Sequence, residues 1–313
     1  MKMSDEKGLP KISVLIGTRN RPEALIRCLR SVLAQDYPNF EVLVLDDASD
    51  AYNVCEFLQE LANSRIRCFR VPEPLGVAGG RNRLMELAEG DVFCVIDDDA
   101  YFDDLQALNK IANIFIRNAD VGIVAVKVID HQDKKTSLLV PFPKWALICH
   151  HGLVDEETDV SYFLGTCHAI RRKVIQVCGL YQSDLMYGEE ELDLSYRAVE
   201  AGFRIRYIPE IVVHHCPQDS VVKSHKFMRR PELYYHVRNR ILLARKYLPL
   251  HFATFYIIFW MLRSFISALR SGAVIEFVQG IVAGIQFAKK AKRTPLSREA
   301  IRYLRKHHGR LWY

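Results

Sequence analysis

The last third of this chain is almost without acid. From residue 223 to residue 313 there are 3 Asp or Glu against 19 Lys or Arg, a balance of +16. The first 222 residues hold the reverse, 34 acidic against 24 basic, a balance of −10. The net charge of +6 therefore averages an acidic body and a basic C-terminal region. Such a region faces something anionic. Other absences narrow the class. The eight cysteines (28, 55, 68, 94, 149, 167, 178 and 216) contain no CxxC pair. Several sit inside apolar runs, so they read as small core residues in a reducing compartment, and a disulfide framework is not expected. There is no GxxxxGK followed by Ser or Thr and no GxGxxG, which excludes a P-loop and leaves a Rossmann dinucleotide site unsupported. The first eleven residues are polar, so a secretory leader is not expected. No repeat or low-complexity tract is visible.

With half of its 313 residues apolar and 26% charged, the chain has globular composition. Its length suits one large domain, or one domain with an appendage. Short apolar runs alternate with helical patterns from residue 12 onward. Strands are expected at 12–16, 41–45, 66–71, 92–96 and 121–129, and helices at 22–35, 51–63, 77–89 and 103–117. Pro22 suits a first helical turn. This alternation predicts an α/β fold with a parallel sheet. Residues 130–160 read as irregular. A strand is expected at 162–170, a helix at 189–201 and two short strands at 204–208 and 211–214, split at Pro209. From Pro231 onward the pattern is helical.

Three acidic clusters carry the chemistry. Asp97, Asp98 and Asp99 follow the apolar run Val92–Ile96. Three like charges at the carboxyl end of a strand repel unless a cation stands among them, and open α/β sheets gather ligands there. One helix cap would need a single Asp. Mg²⁺ or Mn²⁺ fits, with substrate phosphates filling the other positions. Gly17, Thr18, Arg19 and Asn20 end the first strand, and Asp46 and Asp47 end the second, where a nucleotide would sit. Turn chemistry would account for the same residues. Glu189, Glu190, Glu191 and Asp193 open a helix whose dipole favours acid. Asp193 and Arg197 are spaced to pair, which leaves Glu190 or Glu191 as a possible general base. His214 and His215 end a strand, and an imidazole can complete a carboxylate metal site.

Taken in order, these segments resemble those of inverting family 2 glycosyltransferases of the GT-A fold, including bacterial polysaccharide and rhamnosyl transferases. The resemblance runs over residues 10–217. It rests on residues 12–22, residues 31–38 (SVLAQDYP), the run VLDDASD at 44–50 beside the family's VDDGSTD, the glycine-rich stretch 76–82, the DxD match at 97–99, residues 165–172, the EELDLSYR run at 190–197 beside ED-x-D-L-x-x-R, and Val213 with His214. It implies a mostly parallel central sheet with helices on both faces and a helical C-terminal appendage. The catalytic domain would span 10–222, with a nucleotide-binding half at 10–130 and an acceptor half at 131–222, and a basic helical region would follow at 223–313. Asp47 would face the base or ribose, with Gly17 and Thr18 lending backbone contacts and Arg19 and Asn20 in the same loop. Asp97 and Asp98 would lie on the nucleotide-sugar side, Asp99 would bind Mn²⁺ or Mg²⁺, and His214 would approach it. Arg81 would contact the diphosphate. Glu191 falls where the family has the Asp of its ED pair, and Glu190 competes for the role.

The function implied is transfer from a nucleoside-diphosphate sugar to a saccharide or lipid-linked acceptor. A sugar nucleotidyltransferase is the rival enzyme, since residues 17–22 (GTRNRP) superficially resemble that family's loop, but the further glycines and the early Lys are missing. A non-catalytic, membrane-tethered nucleotide-sugar binder is the third reading. In the basic region, residues 247–262 and 277–288 carry no Asp, Glu, Lys or Arg. Neither run reaches the ~20 residues of a bilayer span. Helices lying in the interface fit better, with Lys289, Lys290, Lys292 and Arg293 on anionic headgroups. The expected place is the cytoplasmic face of the plasma membrane, peripheral or monotopic, with no nucleic-acid partner. A helical subdomain packed on the body would explain the same pattern.

Overall fold

The computed structural model describes residues 8–60, 63–132, 135–217 and 230–311. The first half alternates strand and helix: β1 (Ile12–Thr18), α1 (Pro22–Leu33), β2 (Phe40–Asp46), α2 (Val54–Glu60), β3 (Ile66–Arg70), α3 (Gly76–Leu87), β4 (Val92–Ile96). Then come β5 (Ala100–Phe102), α4 (Ala107–Arg117) and the long β6 (Val121–Gln132). Strands β3, β2, β1 and β4 lie side by side and parallel. Every residue of β2 and β4 is buried, as strands covered on both faces must be. Alternation along β1 divides two cores. Val14 and Ile16 pack with α1, α2 and α4, while Leu15 packs with α3 and the helices that follow.

The second half departs from simple winding. It runs β7 (Lys135–Leu139), α5 (Lys144–Cys149), β8 (Thr158–Val160), β9 (Cys167–Arg171), α6 (Arg172–Cys178), α7 (Glu190–Glu200) and β10 (Arg204–His215). Strand β9 enters antiparallel between β4 and β6. The stretch expected to be irregular thus holds two strands and a short helix. The strand expected at 162–170 is confined to its second half. The two short strands expected around Pro209 are one, β10, whose register against β6 slips between Ile208 and Val212. Pro209 has no N–H for the ladder, and the slip absorbs it. Beyond the slip, β10 pairs antiparallel with β5, setting His215 opposite Ala100. The end of β10 is thereby brought beside the Asp triplet.

One disulfide departs from the reduced-cysteine expectation. Cys55 on α2 bonds Cys68 on β3, with Cα atoms 5.3 Å apart. The other six cysteines are free.

The C-terminal helices are α8 (Pro231–Tyr247), α9 (Leu250–Ser271), α10 (Val274–Lys290) and α11 (Arg298–Lys306). They share a core with the body: Leu243, Tyr247, Tyr256 and Leu304 belong to the same buried cluster as Leu192 and Tyr196. Helix α9 has 22 residues and a mean hydropathy of 1.6 in its most apolar stretch, which makes it long and apolar enough to cross a membrane by length and composition. It nevertheless carries Arg263 and packs against α8 and α10. One side of the α9–α10 pair is left outward, with Leu250, Phe255, Ile258, Leu262, Ile275 and Val278 exposed.

Candidate active site

A cleft of about 150 Å³ opens at the carboxyl ends of β1, β2 and β4. Gly17, Thr18, Arg19, Asp47, Arg81, Asp97 and Asp98 all line it. A Cβ added at Gly17 would meet nothing within 4 Å, so the wall there is open. Asp47 accepts hydrogen bonds from the backbone N–H groups of Leu75 and Gly76, tying the end of β2 to the start of α3. Burial raises its carboxyl above the ordinary range despite those bonds. Gly76, at φ +70°, makes the left-handed turn into α3 at this point. Asn20 does not line the cleft. Its side-chain oxygen accepts from the N–H groups of Asp50 and Ala51, so it ties the first loop to the second.

The Asp triplet splits three ways. A tight turn, with the Ala100 N–H donating to the Asp97 carbonyl, separates the side chains. Asp98 is fully buried. Thr18 Oγ1 donates to it at 2.7 Å and Arg21 pairs with it at 2.7 Å. Burial still lifts its carboxyl to about 7. Asp98 therefore serves chiefly as the anchor of the first loop. Arg21, unremarked in the sequence beyond its place before Pro22, also pairs with Asp99 at 2.7 Å.

Asp97, Asp99 and His215 each offer a donor atom within 4.8 Å of the others. The histidine in this cluster is His215, which corrects the assignment of His214. Neighbours on a strand point to opposite sides. His214 turns away, stacks between Tyr101 and His131, and contacts Asp103 at 2.9 Å. His215 Nε2 lies 3.4 Å from Asp99, and its Nδ1 lies 2.7 Å from Asp130. Burial opposes a charge on this ring, yet Asp99 and Asp130 raise it to about 9. Asp99 is held below the ordinary carboxylate range: burial would raise it, but His215 and Arg21 outweigh that. Two carboxylates and an imidazole oriented by a third carboxylate form a donor set that fits Mn²⁺ or Mg²⁺.

Arg81 joins this cluster to the acidic helix. From α3 its guanidinium pairs with Glu191 at 2.7 Å and Asp97 at 3.2 Å, and donates to the Gly165 carbonyl at 2.9 Å. It lies 5.8 Å from the Tyr181 ring centre. Glu190 stands further off, at 3.9 Å. Its Oε2 is buried without a hydrogen-bond partner. Burial, reinforced by Glu191, pushes its carboxyl up to about 8. Glu191 is the more accessible of the two, with 17% of its side chain exposed against 6%.

Gly165 leaves room for this arrangement. A Cβ there would lie 2.3 Å from Glu191 Oε1 and 3.3 Å from Arg81. Gly165→Ala is expected to push the Glu191 carboxylate aside and lower kcat about a hundredfold, with little change in donor KM. Steady-state kinetics against donor check this, and an unchanged kcat would refute it.

The start of α7 is clamped from behind by the C-terminal helices. Glu189 adopts φ +72°, a conformation that a non-glycine residue holds only when its surroundings impose it. Its buried carboxylate meets Arg240 at 2.7 Å, His236 at 3.1 Å and Arg310 at 3.7 Å. Burial alone would raise it, but Arg240 first, with the His236 hydrogen bond and Arg310, holds it well below the carboxylate range. Asn239 donates to the carbonyls of Leu185, Tyr187 and Gly188. Part of the basic region thus neutralises a carboxylate next to the site.

The family model described as glycosyl transferase family 2 matches residues 13–179. The amylovoran biosynthesis glycosyltransferase AmsB of Erwinia amylovora is 27% identical over 210 residues, which cover 63% of this chain and 67% of that protein. Staphylococcus aureus TarS 1-349 in complex with UDP-GlcNAc superposes with a TM-score of 0.66 at 17% identity, covering 89% of this chain and 81% of that one. The mannosyltransferase PcManGT of Pyrobaculum calidifontis, in complex with GDP-Man and Mn²⁺, superposes at 0.55 and 18% identity, covering 96% and 80%. At these identities the two structural likenesses establish the fold. The shares differ widely among relatives: the match spans 97% of an uncharacterised Haemophilus influenzae protein and 26% of one from Sinorhizobium fredii.

Proposed function

The chain belongs to glycosyl transferase family 2 and is a glycosyltransferase, and we propose that it is a metal-dependent, inverting enzyme moving a sugar from a nucleoside-diphosphate donor to an acceptor hydroxyl. The observation that carries this is Arg81, whose one guanidinium touches both Asp97 of the donor cleft and Glu191 of α7. It ties the carboxylate read as the proton acceptor to a carboxylate of the donor cleft. In this reading Asp47 and Gly17 bind the nucleoside, and Asp97 orients the sugar nucleotide. Asp99 and His215, with Asp97 beside them, would hold Mn²⁺ or Mg²⁺, whose charge would offset that developing on the leaving diphosphate. Glu191 takes the proton of the acceptor hydroxyl as its oxygen attacks the anomeric carbon, so one displacement inverts the centre and no covalent enzyme intermediate forms. Neighbours of the same fold are bound to UDP-GlcNAc and to GDP-Man, so the donor panel includes both nucleotides.

AmsB is named for amylovoran biosynthesis, and an Escherichia coli relative, WfaP, is named for transfer to a diphosphoundecaprenol-linked GlcNAc, which supports an acceptor that is a growing saccharide or its lipid-linked form. The outward apolar side of α9 and α10 supports a peripheral position on the cytoplasmic face of the plasma membrane. The test is a panel of UDP-, GDP- and dTDP-sugars with Mn²⁺, with Mg²⁺ and with EDTA, read by mass spectrometry. Release of nucleoside diphosphate, with a metal requirement and an inverted product, is expected. Pyrophosphate release from a nucleoside triphosphate and a sugar phosphate would overturn the reading.

A further inference from the structure

We propose that a groove between the start of α9 and helix α11 binds the phosphate-bearing headgroups of anionic phospholipids. This rests on the membrane position argued above and adds to it a defined site. The groove has a volume of about 810 Å³ and lies apart from the catalytic cleft. Arg298, Arg302, Arg305 and Lys306 line it above the partly buried Phe252 and Ile301. Arg298, Arg302 and Arg305 recur at i, i+4 and i+7, so α11 presents them on one face. All four cations are exposed. None has a carboxylate within ion-pair distance among the described residues, whereas elsewhere in the basic region Arg240, Lys246 and Arg310 all do.

Two observations turn this from a solvated basic face into a headgroup site. The floor is apolar, which a free anion does not require and an amphiphile does. The groove also continues the outward face of α9: Pro249, His251 and Phe252 line it, and Leu250, between them in sequence, is 73% exposed. Further cations stand at the same end. The segment after α10 runs beside the end of α8, with the Thr294 and Leu296 N–H groups donating to the carbonyls of Lys246 and Tyr247. This brings the exposed Lys289, Lys290 and Lys292 toward the start of α9. Apolar side chains would enter the acyl boundary while the arginines meet phosphates at its rim. Exposed apolar side chains along α9, Phe255 near the groove and Leu262 further along the helix, favour a bilayer over nucleic acid.

The test uses the full-length protein and vesicle flotation, with phosphatidylcholine alone and with phosphatidylglycerol mixed in. Wild type is expected to prefer the anionic vesicles by at least tenfold. The double variant Arg302→Gln/Arg305→Gln should lose roughly tenfold to thirtyfold of binding to anionic vesicles, since each Lys or Arg at the surface contributes a fewfold factor. Its binding to neutral vesicles should not change. Phe255→Ser/Leu262→Ser should weaken both compositions alike. Thermal melts by circular dichroism verify that each variant is folded. A preference that survives in the arginine variant overturns the groove while leaving membrane attachment standing. Failure of wild type to bind any vesicle overturns the membrane position. The groove is then judged by titration with monomeric short-chain phosphatidylglycerol against inorganic phosphate. Equal weak binding of the two, or tighter binding of an oligonucleotide, overturns it.

Discussion

Glu191→Gln is expected to lower kcat for sugar transfer about a thousandfold, leaving donor affinity within a fewfold of wild type. Glutamine keeps the shape of the side chain, and its carbonyl oxygen can still accept from Arg81 at the 2.7 Å contact. The amide cannot take up a proton. A positioned general base contributes roughly a hundredfold to ten-thousandfold, and that factor is what the variant removes. Glu190→Gln is the matched control. Burial pushes the Glu190 carboxyl up to about 8, so near pH 7 it is mostly neutral and glutamine imitates it. That variant should retain most of its activity. It should also change the pH dependence of stability. An acid raised from 4.5 to about 8 holds its proton in the fold where the unfolded chain has released it. Its stabilising contribution is complete below 4.5 and is lost as pH rises through 8. Glu190→Gln should flatten this part of the melting-temperature profile. Transfer by Glu191→Gln at the wild-type rate, or loss of transfer in Glu190→Gln alone, would move the base.

Much of the donor side was legible because it rests on local pattern. Uninterrupted apolar runs marked β2 and β4 as strands buried on both faces, and the residues that end them had to stand at one edge of the sheet. That is enough to gather Gly17, Thr18, Asp47 and Asp97 in one cleft. What escaped depended on pairings distant in sequence. The side each histidine faces follows from the slip in β10 between Ile208 and Val212, and a slip of one residue exchanges the faces. Arg21 looked like a loop residue because its partners lie 77 and 78 positions away. The disulfide between Cys55 and Cys68 closes only when α2 folds back on β3.

The basic region misled for a different reason. Its charge was read as one surface, but it serves two roles. Arg240 and Arg310 turn inward to Glu189, and Arg240 also lies 3.6 Å from the ring centre of Trp260. Charge totals cannot separate cations that neutralise a buried carboxylate from those that face outward. One signal was available: Glu189 makes a third consecutive glutamate where the resemblance needed two. The strained φ of that extra residue holds only because the C-terminal helices surround its carboxylate. The helical region is therefore part of what shapes the start of α7.

His215→Ala and Asp99→Asn are each expected to weaken Mn²⁺ binding in the presence of UDP by about a hundredfold, and His214→Ala by less than about twofold. Removing one donor of three leaves the cation to recruit water in its place. Asparagine keeps an oxygen at residue 99 but not the charge, which matters most for a hard cation. Asp99→Asn should not unravel the first loop, because Arg21 still pairs with the buried Asp98. The alanine variants separate the two histidines by geometry. His215 shares its cluster with both carboxylates, whereas His214 is spent on Asp103 and on stacking with Tyr101 and His131. Loss of His214 should therefore lower the melting temperature slightly and leave metal affinity alone. Electron paramagnetic resonance of free Mn²⁺ during titration reads affinity without reference to turnover. Equal losses from the two alanine variants would show that position along β10, not the facing side chain, governs the site. A larger loss from His214→Ala would return the ligand role to the residue that the family resemblance implied.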